Sequence, residues 1–194
     1  MKKLVRPISR AIRNIFRTIR DLLSKKTRFI RLNPLAKGRI AFFDKKNKQF
    51  FFLSSRGEGD SSVLDTIFSK NCYSLEGMLR SKDIYAQYSS ILALGKNPLI
   101  IDCGSNIGAA TYFFANEFPE AKVIGIELES NNAKLASKNN SSNPNVHILH
   151  AAIGPESGSV VIENPDEASN DSFRTKTDSG HEKGSIDMIS IADI

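Results

Sequence analysis

A glycine-containing turn between an apolar run and a helix-like segment constrains the fold of this chain most strongly. The run Pro98–Asp102 is short and continuously apolar up to its final acid, as expected for a parallel strand buried on both faces. It leads directly into Cys103–Gly108, called here the glycine loop, and then into a segment with the apolar content of a helix, which Pro119 ends. A strand that turns sharply into a helix is typical of α/β domains.

The same alternation continues beyond this helix. Residues 122–127 predict a second strand that closes on Glu127, residues 131–139 predict a helix, and residues 146–150 predict a third strand. Tight connections in the order strand–helix–strand–helix–strand favour right-handed crossovers. The sequence therefore predicts an α/β fold with a mostly parallel sheet.

The glycine loop indicates the class of ligand. Its pattern is Asp-x-Gly-x-x-x-Gly, in which Gly104 allows a sharp bend and a close ligand, and Gly108 allows the helix to lie close to the sheet. A dinucleotide site favours G-x-G-x-x-G, with helix N–H groups directed at a pyrophosphate. Here Asp102 precedes the first glycine, and its carboxylate would repel phosphate. It suits a cationic ligand, such as the amino acid end of a sulfonium cofactor.

A second acid is expected at the same edge of the sheet. Glu127 closes the neighbouring strand and can accept hydrogen bonds from both ribose hydroxyls of an adenosine. The alternative is an α/β domain without a nucleotide, in which the glycines only turn the chain. That alternative leaves Asp102 and Glu127 without explanation at the carboxyl edge, where open α/β sheets bind ligands.

Four segments resemble the FkbM-type methyltransferases. Residues 101–108 (I-D-C-G-S-N-I-G) resemble the opening motif of that family. The second segment matches I-E-P-x-x-x-N-x-x-L-x-x-N at Ile126, Glu127, Asn132, Leu135 and Asn139, with Leu128 in place of the proline. The third, Ala151-Ala152-Ile153-Gly154 with Gly158, resembles A-A-[IV]-G. The fourth, Ile189–Ile194, resembles S-I-D-D-[IL], with Ala192 replacing one Asp.

The resemblance implies a class I (Rossmann-like) methyltransferase fold with S-adenosylmethionine as cofactor, and O-methylation of a sugar or natural-product hydroxyl. The acceptor is then a small molecule or glycan, and no catalytic residue is identified. The cofactor-binding residues it implies are Asp102, Gly104, Ser105, Asn106 and Gly108, with Glu127 at the ribose and Leu128 and Ala151 at the adenine. The alternative is a non-catalytic remnant of the nucleotide fold or a membrane-associated binding module.

FkbM-type chains continue past the last matching segment into a strand resembling L-K-I-D-I-E-G. We therefore expect the C-terminal strands of the sheet to be missing from residues 98–194. On this interpretation the chain is a fragment, or a partner chain completes the sheet.

Residues 39–97 are predicted to form a hairpin and helices that lead into this domain. Residues 39–43 and 49–53 indicate two strands joined by a polar turn. A helix is expected from Ser61 or Ser62 to Phe68. Another is expected over 84–94, stopped by Gly95, with these residues inward: Ile84, Tyr88, Ile91 and Leu92.

Residues 1–38 form a basic arm with an apolar stripe. Residues 1–39 hold thirteen Lys or Arg and one acid, a net of +12, whereas the rest holds fourteen bases and twenty acids, a net of −6. Apolar residues recur at three- and four-residue steps from Leu4 to Leu23, which predicts an amphipathic helix. Three interpretations remain open: a helix docked on the protein, peripheral membrane contact through residues 1–31, or an organelle-targeting segment.

The remaining features limit the class of protein. The acidic remainder argues against a nucleic-acid partner. Cys72 and Cys103 are too few for a disulfide scaffold, which favours a cytoplasmic, and with the basic arm a membrane-peripheral, location. Cys103 is expected to be a small buried thiol. The spacing of the three histidines predicts no metal site.

Overall fold

The computed structural model describes residues 16, 18–24, 27–33, 36, 38–163, 174–177 and 184–194. They belong to two units, Met1–Gly77 and Met78–Ile194, called here the first and second unit. The boundary between the units lies within the segment 39–97. The predicted hairpin therefore falls in the first unit, and the helix that precedes residue 98 falls in the second.

The first unit contains an antiparallel sheet of three strands, in which the second strand is central. The strands are β1 (Phe29–Arg31), β2 (Arg39–Asp44) and β3 (Gln49–Ser54). The predicted hairpin is confirmed, with each strand one residue longer than expected. Residues 45–48 form its polar turn.

Phenylalanine rings fill the core of this unit. Phe29, Phe42, Phe51 and Phe68 are all buried. The ring of Phe42 lies 5.2 Å from that of Phe51 on the neighbouring strand and 5.1 Å from that of Phe68. Because alternate residues of a strand face the same side, Phe29, Phe42 and Phe51 share the inner face of the sheet, and Phe68 packs against them from outside the sheet.

The helix after the hairpin begins earlier than predicted. It comprises α1 (Glu58–Leu64), which continues into a π-helical turn (Asp65–Ser69). Gly57 occupies the N-cap position, so the predicted cap at Ser61 or Ser62 is wrong. Asp60 in the first turn accepts a hydrogen bond of 2.7 Å from the backbone N–H of Arg56. This contact orders the loop ahead of the serines, and the helix starts there.

The second unit contains the predicted alternation of strands and helices. Its elements to residue 150 are α2 (Ser81–Ala93), β4 (Leu99–Cys103), α3 (Ala109–Glu117), β5 (Lys122–Glu127), α4 (Ser130–Asn140) and β6 (Val146–His150). The three strands form a parallel sheet in the order β4-β5-β6. The mixed α/β architecture with a parallel sheet is therefore confirmed. The carboxyl ends of β4 and β5 lie side by side, with Cys103 opposite Ile126.

The burial predicted for β4 is wrong, and the inward face predicted for α2 is confirmed only in part. Leu99 is 49% exposed and Cys103 is exposed, whereas Ile100, Ile101 and Asp102 between them are partly buried. Among the described residues β4 pairs with β5 alone, whereas β5 lies between two strands and buries Val123 and Ile126. In α2 no residue is fully buried: Ile84 is exposed, whereas Tyr88, Ile91 and Leu92 are partly buried. An apolar run is suited to burial, but it is buried only where neighbouring elements cover it.

A second sheet follows in the second unit. It contains β7 (Ala152–Ile153), β8 (Gly158–Glu163), β9 (Arg174–Thr177) and β10 (Ile186–Ile189), in the order β7-β10-β8-β9. Strand β10 pairs with β7 in parallel and with β8 in antiparallel orientation. A 3-10 turn at Ile191–Asp193 follows β10, in the segment that resembles S-I-D-D-[IL].

The basic arm is described only in part. Residues 18–23 are helical, whereas the predicted stripe before Phe16 lies outside the described residues. The described part exposes its apolar side chains, so these turns do not pack their stripe on the first unit. No helix within the described ranges is long and apolar enough to cross a membrane.

Candidate functional site

The glycine loop connects β4 to α3 through three residues with left-handed backbone conformation. Gly104, Asn106 and Gly108 have φ angles of 80°, 50° and 74°, in the left-handed region that favours glycine and tolerates asparagine. The backbone N–H groups of Gly104 and Ser105 both donate to the carbonyl of Ile126 at 2.9 Å. The loop is thereby fixed against the end of β5.

Glu127 is the centre of the site. Its carboxylate is buried and accepts two backbone hydrogen bonds, from Asn106 at 2.7 Å and from Glu129 at 2.8 Å. These bonds connect the glycine loop to the turn that follows β5. A carboxylate has about four acceptor positions, so two remain for the hydroxyls of a ligand.

Asp102 lies on β4, the strand that pairs with the strand of Glu127. Its Oδ2 accepts a hydrogen bond of 2.6 Å from the Thr111 hydroxyl on α3. Burial raises the pKa of the Asp102 carboxyl above its ordinary value, and the bond from Thr111 partly opposes that rise. A Cβ on Gly125 would lie 3.0 Å from the Thr111 Oγ1, so glycine at that position leaves room for the contact.

Helix α4 holds the other side of the glycine loop. The buried side-chain amides of Asn139 and Asn140 donate to the carbonyls of Ile107 and Gly108, at 2.9 and 3.0 Å. A Cβ on Gly108 would lie 2.8 Å from the Cα of Ala136 and 2.5 Å from the amide nitrogen of Asn140. The prediction that Gly108 allows an approach to the sheet is therefore corrected: it allows an approach to α4.

A cavity of about 290 Å³ opens between these elements. It is lined by Gly104, Asn106, Ile126, Glu127, Leu128, Asn132, Ala151, Ala152, Ile153 and Thr175. Five of the eight predicted cofactor-binding residues lie in this lining: Gly104, Asn106, Glu127, Leu128 and Ala151. Asp102, Ser105 and Gly108 lie behind it and shape the loop.

Several lining residues were not predicted from the sequence. Asn132 lies in a stretch that carries the family resemblance, and this was the only sequence signal for it. Thr175 reaches the cavity from β9, a strand that had not been predicted. Ala152 and Ile153 belong to the A-A-[IV]-G segment of the family resemblance and Ile126 precedes Glu127, so these three positions also had a sequence signal.

Ser105 and Cys103 of the glycine loop differ in solvent exposure. The buried hydroxyl of Ser105 has no hydrogen-bond partner among the described residues, which leaves a polar atom for a ligand or water. Cys103 is exposed, so the prediction of a buried thiol is wrong. It ends β4 at the edge of the sheet, where no described element covers it.

The turn after Glu127 is ordered without the proline that the FkbM-type motif carries. Glu129 caps α4, because its carboxylate accepts from the backbone N–H groups of Asn131 and Asn132 at 2.9 and 2.7 Å. The His150 Nε2 lies 3.0 Å from the carbonyl of Leu128. These contacts hold Leu128 at the cavity. Within the described ranges, no three His, Cys, Asp or Glu residues are grouped so that they could hold a metal ion.

Comparison with known families gives a match to a methyltransferase family. A family model described as histone methylation protein DOT1 matches residues 66–160, which include the glycine loop, Glu127 and Ala151. This match supports an S-adenosylmethionine-dependent methyltransferase in general, with S-adenosylmethionine as the usual methyl donor, and it does not single out the FkbM type. No curated protein matches the chain in sequence.

Proposed function

We propose that this chain is an S-adenosylmethionine-dependent O-methyltransferase of FkbM type that acts on a hydroxyl of a sugar or natural product. The observation that carries the proposal is the Glu127 carboxylate, which two backbone N–H groups hold at the wall of a cavity next to a glycine loop. The class I methyltransferase fold is part of the proposal. The parallel order β4-β5-β6 supports it.

The glycine loop suits this cofactor better than a dinucleotide. A pyrophosphate needs free backbone N–H groups at the start of the helix. Here the N–H groups of Gly104 and Ser105 donate to Ile126, and that of Asn106 donates to Glu127. A Cβ on Gly104 would meet no atom within 4 Å, so the surface there is open to a ligand. The loop from Gly104 to Asn106 therefore presents an open backbone whose N–H groups are already used within the protein.

Different residues would contact different parts of the cofactor. Glu127 would accept hydrogen bonds from the ribose hydroxyls, and Leu128 and Ala151 would border the adenine. Asp102 and the glycine loop would favour the cationic amino acid end. When bound, the cofactor supplies an electrophilic methyl group on a sulfonium. The protein would then have to align the acceptor oxygen with that methyl group, and covalent catalysis is not required.

The first test is calorimetric titration of the full chain with S-adenosylhomocysteine. Glu127→Gln leaves one carbonyl oxygen for two backbone donors and for the ribose. We expect the affinity to fall roughly ten- to a hundredfold, the worth of about 1.5–3 kcal/mol for hydrogen bonds to a charged group. Glu156→Gln, at an exposed position outside the cavity, is the matched control and should keep the wild-type affinity. A folded wild-type chain that binds no S-adenosylhomocysteine would contradict the cofactor assignment.

The acceptor is tested separately, by transfer of a labelled methyl group. The description of the matching family names histone methylation, which makes a protein amine the second candidate acceptor. A hydroxylated glycan or natural-product extract and a histone preparation are offered in parallel. Alkali-stable label on the glycan or natural product supports the proposal, and label on the histones supports the second candidate. Binding of S-adenosylhomocysteine without transfer to either favours a non-catalytic remnant.

A further inference from the structure

The helical segment 18–23 is attached to the first unit by its polar side. The hydroxyl of Thr18 donates to the carbonyl of Arg31 on β1, at 3.3 Å. Asp21 is 9% exposed, and its backbone carbonyl accepts a hydrogen bond of 3.1 Å from the Lys45 ammonium. The same ammonium donates to the carbonyl of Ser24, just beyond the last turn. A cation at this position also favours the negative end of a helix.

The apolar side of the same segment points away from the unit. Phe16, Ile19, Leu22 and Leu23 are 68%, 48%, 55% and 77% exposed, and they are called here the outer face. Their spacing of three, three and one residues places them on one side of a helix. A helix in contact with its own domain normally buries such residues and exposes its polar ones. Here the arrangement is reversed.

The sequence around the outer face is strongly basic. The Arg20 side chain is 74% exposed, although its guanidinium contacts Asp21. In the sequence, residues 1–39 hold thirteen Lys or Arg and a single acid, Asp21, which is buried. An apolar face flanked by cations matches the boundary between acyl chains and anionic headgroups.

We propose that the outer face is a peripheral binding site for an anionic lipid surface, on which the helix lies parallel to the membrane. A nucleic acid offers phosphates to the arginines but no apolar surface to Phe16, Ile19 and the two leucines. Cationic side chains around the face disfavour pairing with a second copy of the same face. Lipid headgroups satisfy both the apolar and the charged side chains. This inference is independent of the methyl-transfer proposal, because it involves the first unit alone.

A single reporter residue tests the inference directly. The chain contains no tryptophan, so Leu23→Trp introduces the only one, at an exposed position. With vesicles of phosphatidylglycerol and phosphatidylcholine, we expect its emission to shift to the blue and to be quenched by brominated acyl chains. Leu94→Trp in the second unit, where the leucine is 73% exposed, is the control and should do neither. Equal responses from both reporters would overturn the proposal.

A vesicle sedimentation assay measures the energetic contribution of the face. Leu22→Asp with Leu23→Asp should lower partitioning onto the anionic vesicles by at least about tenfold, since each buried leucine is worth about that factor or more. Leu79→Asp with Leu94→Asp alters two exposed leucines of the second unit and should leave partitioning unchanged. High salt and pure phosphatidylcholine should both weaken binding. Absence of wild-type binding to anionic vesicles, or concentration-dependent dimerisation through the outer face, would overturn the proposal.

Discussion

Replacing Gly108 by alanine tests whether the glycine loop is positioned by its contact with α4. Two costs add at this residue. A φ of 74° is left-handed, which costs a non-glycine residue about 1–2 kcal/mol. The new Cβ would also lie 2.8 Å from the Cα of Ala136, a backbone atom that cannot rotate away. Such overpacking costs about 1–3 kcal/mol, so we expect a total loss of about 2–5 kcal/mol in the free energy of unfolding.

Gly95→Ala is the matched control for this substitution. Gly95 lies in the same unit with a φ of 69°, and a Cβ there would meet no atom within 4 Å. It pays the conformational cost alone, and the entropy that alanine removes from the unfolded chain is the same at both positions. The difference between the two variants therefore isolates the contact with α4, about 1–3 kcal/mol.

The assay is hydrogen exchange of the backbone amides of β5, the central strand of the parallel sheet, because it reports unfolding of the second unit specifically. Urea denaturation followed by circular dichroism provides a second measurement of the whole chain. A difference of less than about 0.5 kcal/mol between Gly108→Ala and Gly95→Ala, within ordinary surface variation, would refute the contact argument.

Two further predictions concern the cavity. Gly104→Ala should cost no more stability than Gly95→Ala, because neither Cβ meets an atom within 4 Å, but it should weaken S-adenosylhomocysteine binding in calorimetry by placing a methyl group in the lining; unchanged affinity would exclude a close approach there. Asp102 has a pKa raised by burial above 3.8, so the folded chain holds that proton more tightly than the unfolded chain, and stability falls as pH rises through the interval above 3.8. Asp102→Asn should remove this part of the fall in urea midpoints between acidic and neutral pH, and identical pH profiles for the two proteins would contradict it.

The alternation of strands and helices could be predicted from the sequence because its signals are local. Apolar runs bounded by glycine, proline or polar residues mark β4, β5 and β6, and their tight connections imply a parallel sheet. The position of Asp102 and Glu127 at one edge then follows from the rule that parallel strands end together. The hairpin of the first unit is local in the same sense.

Burial could not be predicted in the same way. The run in β4 and the apolar residues of α2 are as hydrophobic as those of covered elements, yet the structure leaves Leu99 and Ile84 exposed. Cys103 likewise lies uncovered at the end of its strand. Whether a residue is covered depends on elements distant in sequence, which periodicity does not report.

By itself the sequence determined the order of the elements, the acids at the sheet edge and the amphipathic, basic character of the N-terminal arm. Only the tertiary structure decided which groups hold Glu127, that Gly108 faces α4, and that Thr175 reaches the cavity. It also decided which side of the segment 18–23 faces its own domain. The physical reason is common to these cases: composition and period fix local conformation, whereas hydrogen bonds and contacts between distant residues select one arrangement of the elements.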